Sequence, residues 1–180
     1  MDKRKKREIA ALADTIRESL ELRTPVDVVR AVERLGGKLN EVSDWEGIEE
    51  ARIRRTGERF EIDIRKAHLA ARKRFSVAHE LGHLFLHMGY LISPETWGNS
   101  SEYRDSVYHR FGYGIEEAEA NLFAAAFLMP EHEFRRAIGD LGTTGNVPIK
   151  QIADHFKTSV TAALRRGQEL GVLRVSTNGG

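Results

Sequence analysis

His79-Glu80-Leu81-Gly82-His83 lies inside a stretch, Ala71 to Met88, whose apolar residues recur at helical spacing. On a helical wheel His79, His83 and His87 fall within about 80° of one another, beside Ser76 and Glu80. Val77, Leu81, Leu84, Phe85 and Met88 take the opposite side, so the stretch reads as a central, mostly buried helix with one polar stripe. Gly82 borders that stripe at a cost of about 1 kcal/mol relative to alanine, and close approach of another element is the expected compensation.

The stripe has a chemical reading. Histidines four apart share a helix face with Cβ atoms roughly 5–6 Å apart, which suits two imidazole nitrogens each about 2.0–2.1 Å from a shared Zn²⁺. Glu80 sits about 100° round the helix from His79, near enough to serve as a general base without entering the coordination sphere. His87 extends the stripe, and a packed or hydrogen-bonded role is favoured over ligation. Solvated or capping roles suffice for His68, His132 and His155.

Composition limits what could carry such a site. The chain has 180 residues, with Lys+Arg of 28 against Asp+Glu of 27 and a net charge of +1. No bulk field points to nucleic acid, membrane or a strongly acidic substrate. The absence of cysteine excludes disulfides, thiolate ligands and cysteine nucleophiles, which leaves a metal to His and carboxylate. No apolar run reaches a membrane span, and no signal-peptide core follows the basic start, so a cytoplasmic location is expected.

Around the central helix, residues 5 to 22 are expected to form an amphipathic helix with Ile9, Leu12, Ile16 and Leu20 on its stripe. Thr24-Pro25 reads as an N-cap and first helical proline for a second helix ending at Gly36-Gly37. Residues 51–55 and 59–64 alternate in character around Thr56-Gly57, which predicts a hairpin, and 38–42 is a weaker third strand. Residues 89 to 114 carry few regular signals but many aromatics, the pattern of a long loop that either lines a substrate or packs.

A catalytic zinc normally takes a third protein ligand. Ile115 to Met129 reads as a helix ending at Pro130, with three glutamates in its first half. Glu117 shares a face with Asn121, Ala124 and Leu128, so a carboxylate and an amide one turn later point together over small residues. Glu117 is therefore the best third ligand, and Asn121 is placed to accept the second N–H of a ligating histidine. Glu116 and Glu119 fall on the other side, where acidic residues early in a helix complement its dipole.

The stretch 74–87 together with Glu117-Ala118-Glu119-Ala120-Asn121-Leu122-Phe123-Ala124-Ala125-Ala126-Phe127-Leu128-Met129-Pro130 resembles the ImmA/IrrE family of zinc metallopeptidases. The resemblance is strong over about residues 50 to 135 and weaker to about 173. It implies an α+β fold: a minimal zincin-like core, with a small antiparallel sheet and active-site helices, over residues 1–138. It also implies His79, His83 and Glu117 as zinc ligands, Glu80 as general base and Asn121 as their outer support. Zinc is the expected metal, although a His₂Glu set also accepts Mn²⁺ or Fe²⁺. Studied members cleave a helix-turn-helix repressor, often one encoded nearby, in stress responses or mobile-element transfer; others belong to toxin–antitoxin-like pairs.

A further donor to the developing oxyanion is expected from the aromatic loop, with Tyr108, His109 and Tyr113 as candidates. After a glycine-rich link, residues 147–174 read as a helix-turn-helix-like pair whose inward set is Ile152, Ala153, Phe156, Val160, Ala163 and Leu164, capped at Ser159. Similar segments end many ImmA/IrrE proteins. Arg165, Arg166 and Gln168 make a thin footprint for DNA, so a structural or repressor-docking role is favoured over DNA reading. Residues 175–180 form a tail. The alternative to a peptidase is a DNA-binding or partner-binding regulator whose metal site is structural, which a fourth protein ligand would signal.

Overall fold

The computed structural model describes residues 1–44, 50–100, 102–104, 114–141 and 148–173. Tyr108, His109 and Tyr113, proposed as oxyanion donors, and the tail lie outside the described residues.

Alternation builds the sheet. Lys38–Val42 (β1), Ala51–Thr56 (β2) and Arg59–Arg65 (β3) take the three expected positions, and Glu102–Arg104 (β4) adds an edge, in the order β1-β3-β2-β4. Ala51, Ile53, Phe60, Ile62 and Ile64 are buried on one face. Arg52, Arg54, Glu61 and Asp63 occupy the other, tied together by ion pairs. The sheet is mixed rather than antiparallel. β2 pairs antiparallel with β3 and β4, but β1 joins the open edge of β3 in parallel register, Asn40 opposite Asp63. The Asn40 side chain donates to the Asp63 carboxylate at 2.8 Å, which helps fix that register.

Helices cover the apolar face. Lys3–Ser19 (α1) is N-capped by Asp2 and buries Ile9, Ala13 and Ile16. The second helix starts later than Thr24-Pro25 suggests: Val28–Arg34 (α2) is capped by Asp27, whose carboxylate accepts from the amides of Val29 and Arg30 at 3.1 Å each. A carboxylate reaching two exposed amide donors satisfies more of the helix end than the Thr24 hydroxyl can. Ala70–Leu86 (α3) is the central helix, with every residue from Ser76 to Phe85 buried except His79.

Residues 89–100, the described beginning of the long irregular stretch after α3, are more ordered than their sequence suggests. Pro94–Asn99 (α4) is a short helix with Ser93 as N-cap and proline in its first turn. Tyr90 and Trp97 are core residues and no lid. The Tyr90 hydroxyl donates to the Leu35 carbonyl at 2.6 Å, and its ring meets Phe60 and Trp97 edge-on.

Ile115–Leu128 (α5) packs along α3, and the spacing between them is set at one residue. A Cβ built on Gly82 would lie 2.9 Å from the Ala120 Cα and 3.1 Å from its carbonyl oxygen. Backbone cannot yield as a flexible side chain does. Gly82→Ala gains about 1 kcal/mol of helix propensity but incurs about 1–3 kcal/mol of overpacking. We expect a net loss of roughly 1 kcal/mol, read as a lower thermal midpoint; an unchanged or raised midpoint would show that the two helices are not in contact here.

Glu131–Leu141 (α6), a helix beyond those expected from sequence, leads to Ile149–Phe156 (α7) and Val160–Glu169 (α8). Ser159 caps α8 through its hydroxyl, which accepts from the Ala162 amide at 3.1 Å. The inward set is smaller than expected: Ile152, Ala153, Phe156 and Ala163 are buried, while Val160 and Leu164 are exposed. Arg166 takes the inward position instead. It is 2% exposed, its Nε donates to the Met129 carbonyl at the end of α5 (3.0 Å), and Nη1 pairs with Glu169. It is therefore unavailable to a phosphate. Gly167 leaves room for Leu173, whose side chain would lie 2.3 Å from an added Cβ. Among the described residues no helix is long and apolar enough to cross a membrane.

Candidate metal centre

Two helices build the site. α3 supplies His79 and His83 from successive turns of one face, and α5 supplies Glu117 from its first turn. The Nε2 atoms of His79 and His83 lie 2.9 Å apart, and each faces a Glu117 oxygen: His79 to Oε2 at 3.2 Å, His83 to Oε1 at 3.1 Å. One ligand atom from each residue falls within 4.8 Å of the others. Donors bound tetrahedrally at about 2.0–2.1 Å stand roughly 3.3 Å apart, so the cluster already has the dimensions of a zinc shell. Two imidazoles and a carboxylate, with no thiolate, are also the donor chemistry that zinc, manganese and iron(II) accept.

Asn121, one turn beyond Glu117, places Oδ1 3.1 Å from His79 Nδ1. An amide oxygen only accepts, so Nδ1 carries the proton and the Nε2 lone pair faces Glu117 and His83. Glu80 is 3% exposed, in the same helical turn as His79. His87 does not join the cluster. Its Nδ1 lies 2.9 Å from His83 Nδ1 and its Nε2 lies 3.3 Å from Glu119 Oε2. Among the described residues no fourth His, Asp or Glu enters the group.

Glu119 makes tertiary contacts that its place in the sequence does not suggest. It is 9% exposed and holds His87, with Lys5 of α1 3.7 Å from its other oxygen, so complementing the helix dipole is not its main engagement. The signal was present as a carboxylate beyond the first turn of α5, flanked by Ala118 and Ala120 and followed by an apolar run.

Burial pushes the His83 imidazole down to about 4, against the opposite pull of its Glu117 hydrogen bond. Burial alone would raise the Glu117 carboxyl, but the two imidazoles of His79 and His83 beside it, whenever either carries a proton on Nε2, hold it well below the usual carboxylate range. In the metal-free chain an unfolded histidine near 6.5 binds a proton that folded His83 refuses, so stability falls as pH drops from about 6.5 towards 4. Glu117 acts in the same direction below about 4.5. Thermal midpoints in chelator should decline through this window, by at most about 1.4 kcal/mol per pH unit for His83; a rise on acidification would contradict the buried placement of His83.

A groove of about 1080 Å³ borders the cluster at Asn121, lined by Leu69, Phe75, Leu122 and Ala162 together with the basic Lys6, Arg72 and Arg165.

Comparison with known proteins is consistent with this geometry. Residues 46–167 match the family model Peptidase_M78, described as the IrrE N-terminal-like domain. Among solved structures, a Mycobacterium tuberculosis transcriptional regulator superposes with a TM-score of 0.63 at 18% identity, over 96% of this chain and 49% of that one. The chain thus spans about half the length of that protein, and at this identity the likeness is one of fold. The curated proteins contain no match.

Proposed function

The chain belongs to the IrrE N-terminal-like family of Peptidase_M78, and from that premise we propose that it is a zinc-dependent endopeptidase that hydrolyses a peptide bond in a regulatory protein. The expected substrate is a helix-turn-helix repressor of the XRE type encoded nearby. The observation that carries the reading is the clustering of ligand atoms from His79, His83 and Glu117, with Glu80 buried in the same turn of α3 as His79.

His79, His83 and Glu117 would hold the metal. When bound, zinc supplies Lewis-acid chemistry, lowering the pKa of water from about 15.7 to about 7 and polarising a carbonyl. Glu80 takes the proton of the attacking water and delivers it to the leaving amine nitrogen. Asn121 keeps His79 in the tautomer that leaves Nε2 free to ligate. The groove beside Asn121, apolar at Phe75 and Leu122 and basic at Lys6, Arg72 and Arg165, is suited to a peptide segment that carries both aliphatic and acidic side chains. Of the C-terminal helices α8 lines that groove, through Ala162 and Arg165, in keeping with a docking role rather than DNA reading. A cytoplasmic setting accords with a repressor as target.

The test is incubation of the zinc-loaded chain with the neighbouring repressor, with and without a zinc chelator, and fragment masses as readout. Cleavage that the chelator abolishes is the expected result. Tight repressor binding by the zinc-loaded chain without any cleavage would replace the peptidase with a partner-binding regulator.

A further inference from the structure

We propose that His87 and Glu119 form a positioning relay that sets the tautomer of His83 and thereby its affinity for the metal. The proposal rests on the metal-site reading above. An ionised carboxylate only accepts, so Glu119 Oε2, 3.3 Å from His87 Nε2, places the His87 proton on Nε2. His87 Nδ1 is then a lone pair. It lies 2.9 Å from His83 Nδ1, which must therefore be the donor. With its proton on Nδ1, His83 presents the Nε2 lone pair to His79 and Glu117, where the metal would sit.

The relay is the counterpart of Asn121. One amide fixes His79, and an imidazole–carboxylate pair fixes His83. Its parts are held by three helices. His87 caps the C-terminus of α3, its backbone amide donating to the His83 carbonyl at 3.0 Å. Glu119 is, with Glu117, one of the two buried acidic residues of α5, and Lys5 reaches it from α1 at 3.7 Å. Both His87 and Glu119 side chains are largely buried, at 8% and 12% exposed, so water competes little for these bonds. Neither residue touches the ligand cluster except through His83; both act by orientation.

Zinc affinity of the full chain, measured by competition with a chromophoric chelator, tests this apart from catalysis. His87→Ala should lose about 10- to 100-fold, the range for outer partners of ligating histidines. His87→Gln should recover most of it, since the glutamine carbonyl accepts the same Nδ1–H. Glu119→Leu should weaken zinc binding comparably. Imidazole ¹⁵N shifts of the wild-type chain should report His87 protonated on Nε2 and His83 on Nδ1; the opposite pair would overturn the relay even if the variants failed to fold. His87→Ala with wild-type affinity, while Glu117→Ala binds no zinc, would also overturn the relay and leave the metal site standing. Undiminished binding by Glu117→Ala would instead remove the metal-site reading on which the relay depends.

Discussion

Glu80→Gln is expected to retain a full complement of zinc and to lose repressor cleavage by about 10²- to 10⁴-fold, the usual contribution of a positioned acid–base group. The two side chains are nearly identical in size, and position 80 is almost fully buried, so an isosteric amide leaves the packing of α3 as it is. His79, His83 and Glu117 are untouched by the change. What the amide lacks is a lone-pair site basic enough to take a proton and return it to the leaving amine. Metal content by mass spectrometry and fragment yield over time give the two readouts. Cleavage at the wild-type rate would remove Glu80 from the mechanism; loss of both metal and cleavage would give it a structural role instead.

Glu117→Ala should have the larger effect on the metal itself. Glu117 faces both histidine Nε2 atoms, at 3.2 and 3.1 Å, so its removal takes away a ligand and the negative charge that opposes the ion's own. The expected loss of zinc affinity exceeds the 10- to 100-fold typical of outer partners, at more than about 100-fold. Glu116→Ala should bind zinc as the wild type does. From sequence alone Glu119→Ala belongs with Glu116→Ala; the contact with His87 moves it to an intermediate weakening. A ranking in which Glu116→Ala fell furthest would move the third ligand by one residue.

Local rules account for what was legible. His79, Glu80 and His83 are related by helical geometry over five residues, and a wheel places them without knowledge of the fold. Glu117 and Asn121 lie on another helix, yet the small residues around them marked a face that could be approached closely, and Gly82 against Ala120 is that approach. The hairpin followed from alternation and a turn dipeptide. The misses arise where tertiary contacts outweighed local signals. Parallel pairing of β1 depends on which sheet edge lies open, a property of the whole sheet. Asp27 displaced Thr24-Pro25 as the start of α2 because competing caps differ in how many amides they reach. Arg166 reads as a solvent-facing charge on any scale, and its burial depends on a carbonyl 37 residues away.

That last contact determines how the molecule can come apart. The C-terminal carbonyls of a helix have no partner within it, and the guanidinium of Arg166 supplies one to Met129 from a neighbouring helix. To swing α8 away would carry Arg166 into water together with Glu169 and leave the Met129 carbonyl, at the end of the helix that bears Glu117, without its donor, a cost of about 1–3 kcal/mol. The opening of α8 is thereby coupled to the end of the metal-bearing helix α5, and a partner that displaces one disturbs the cap of the other.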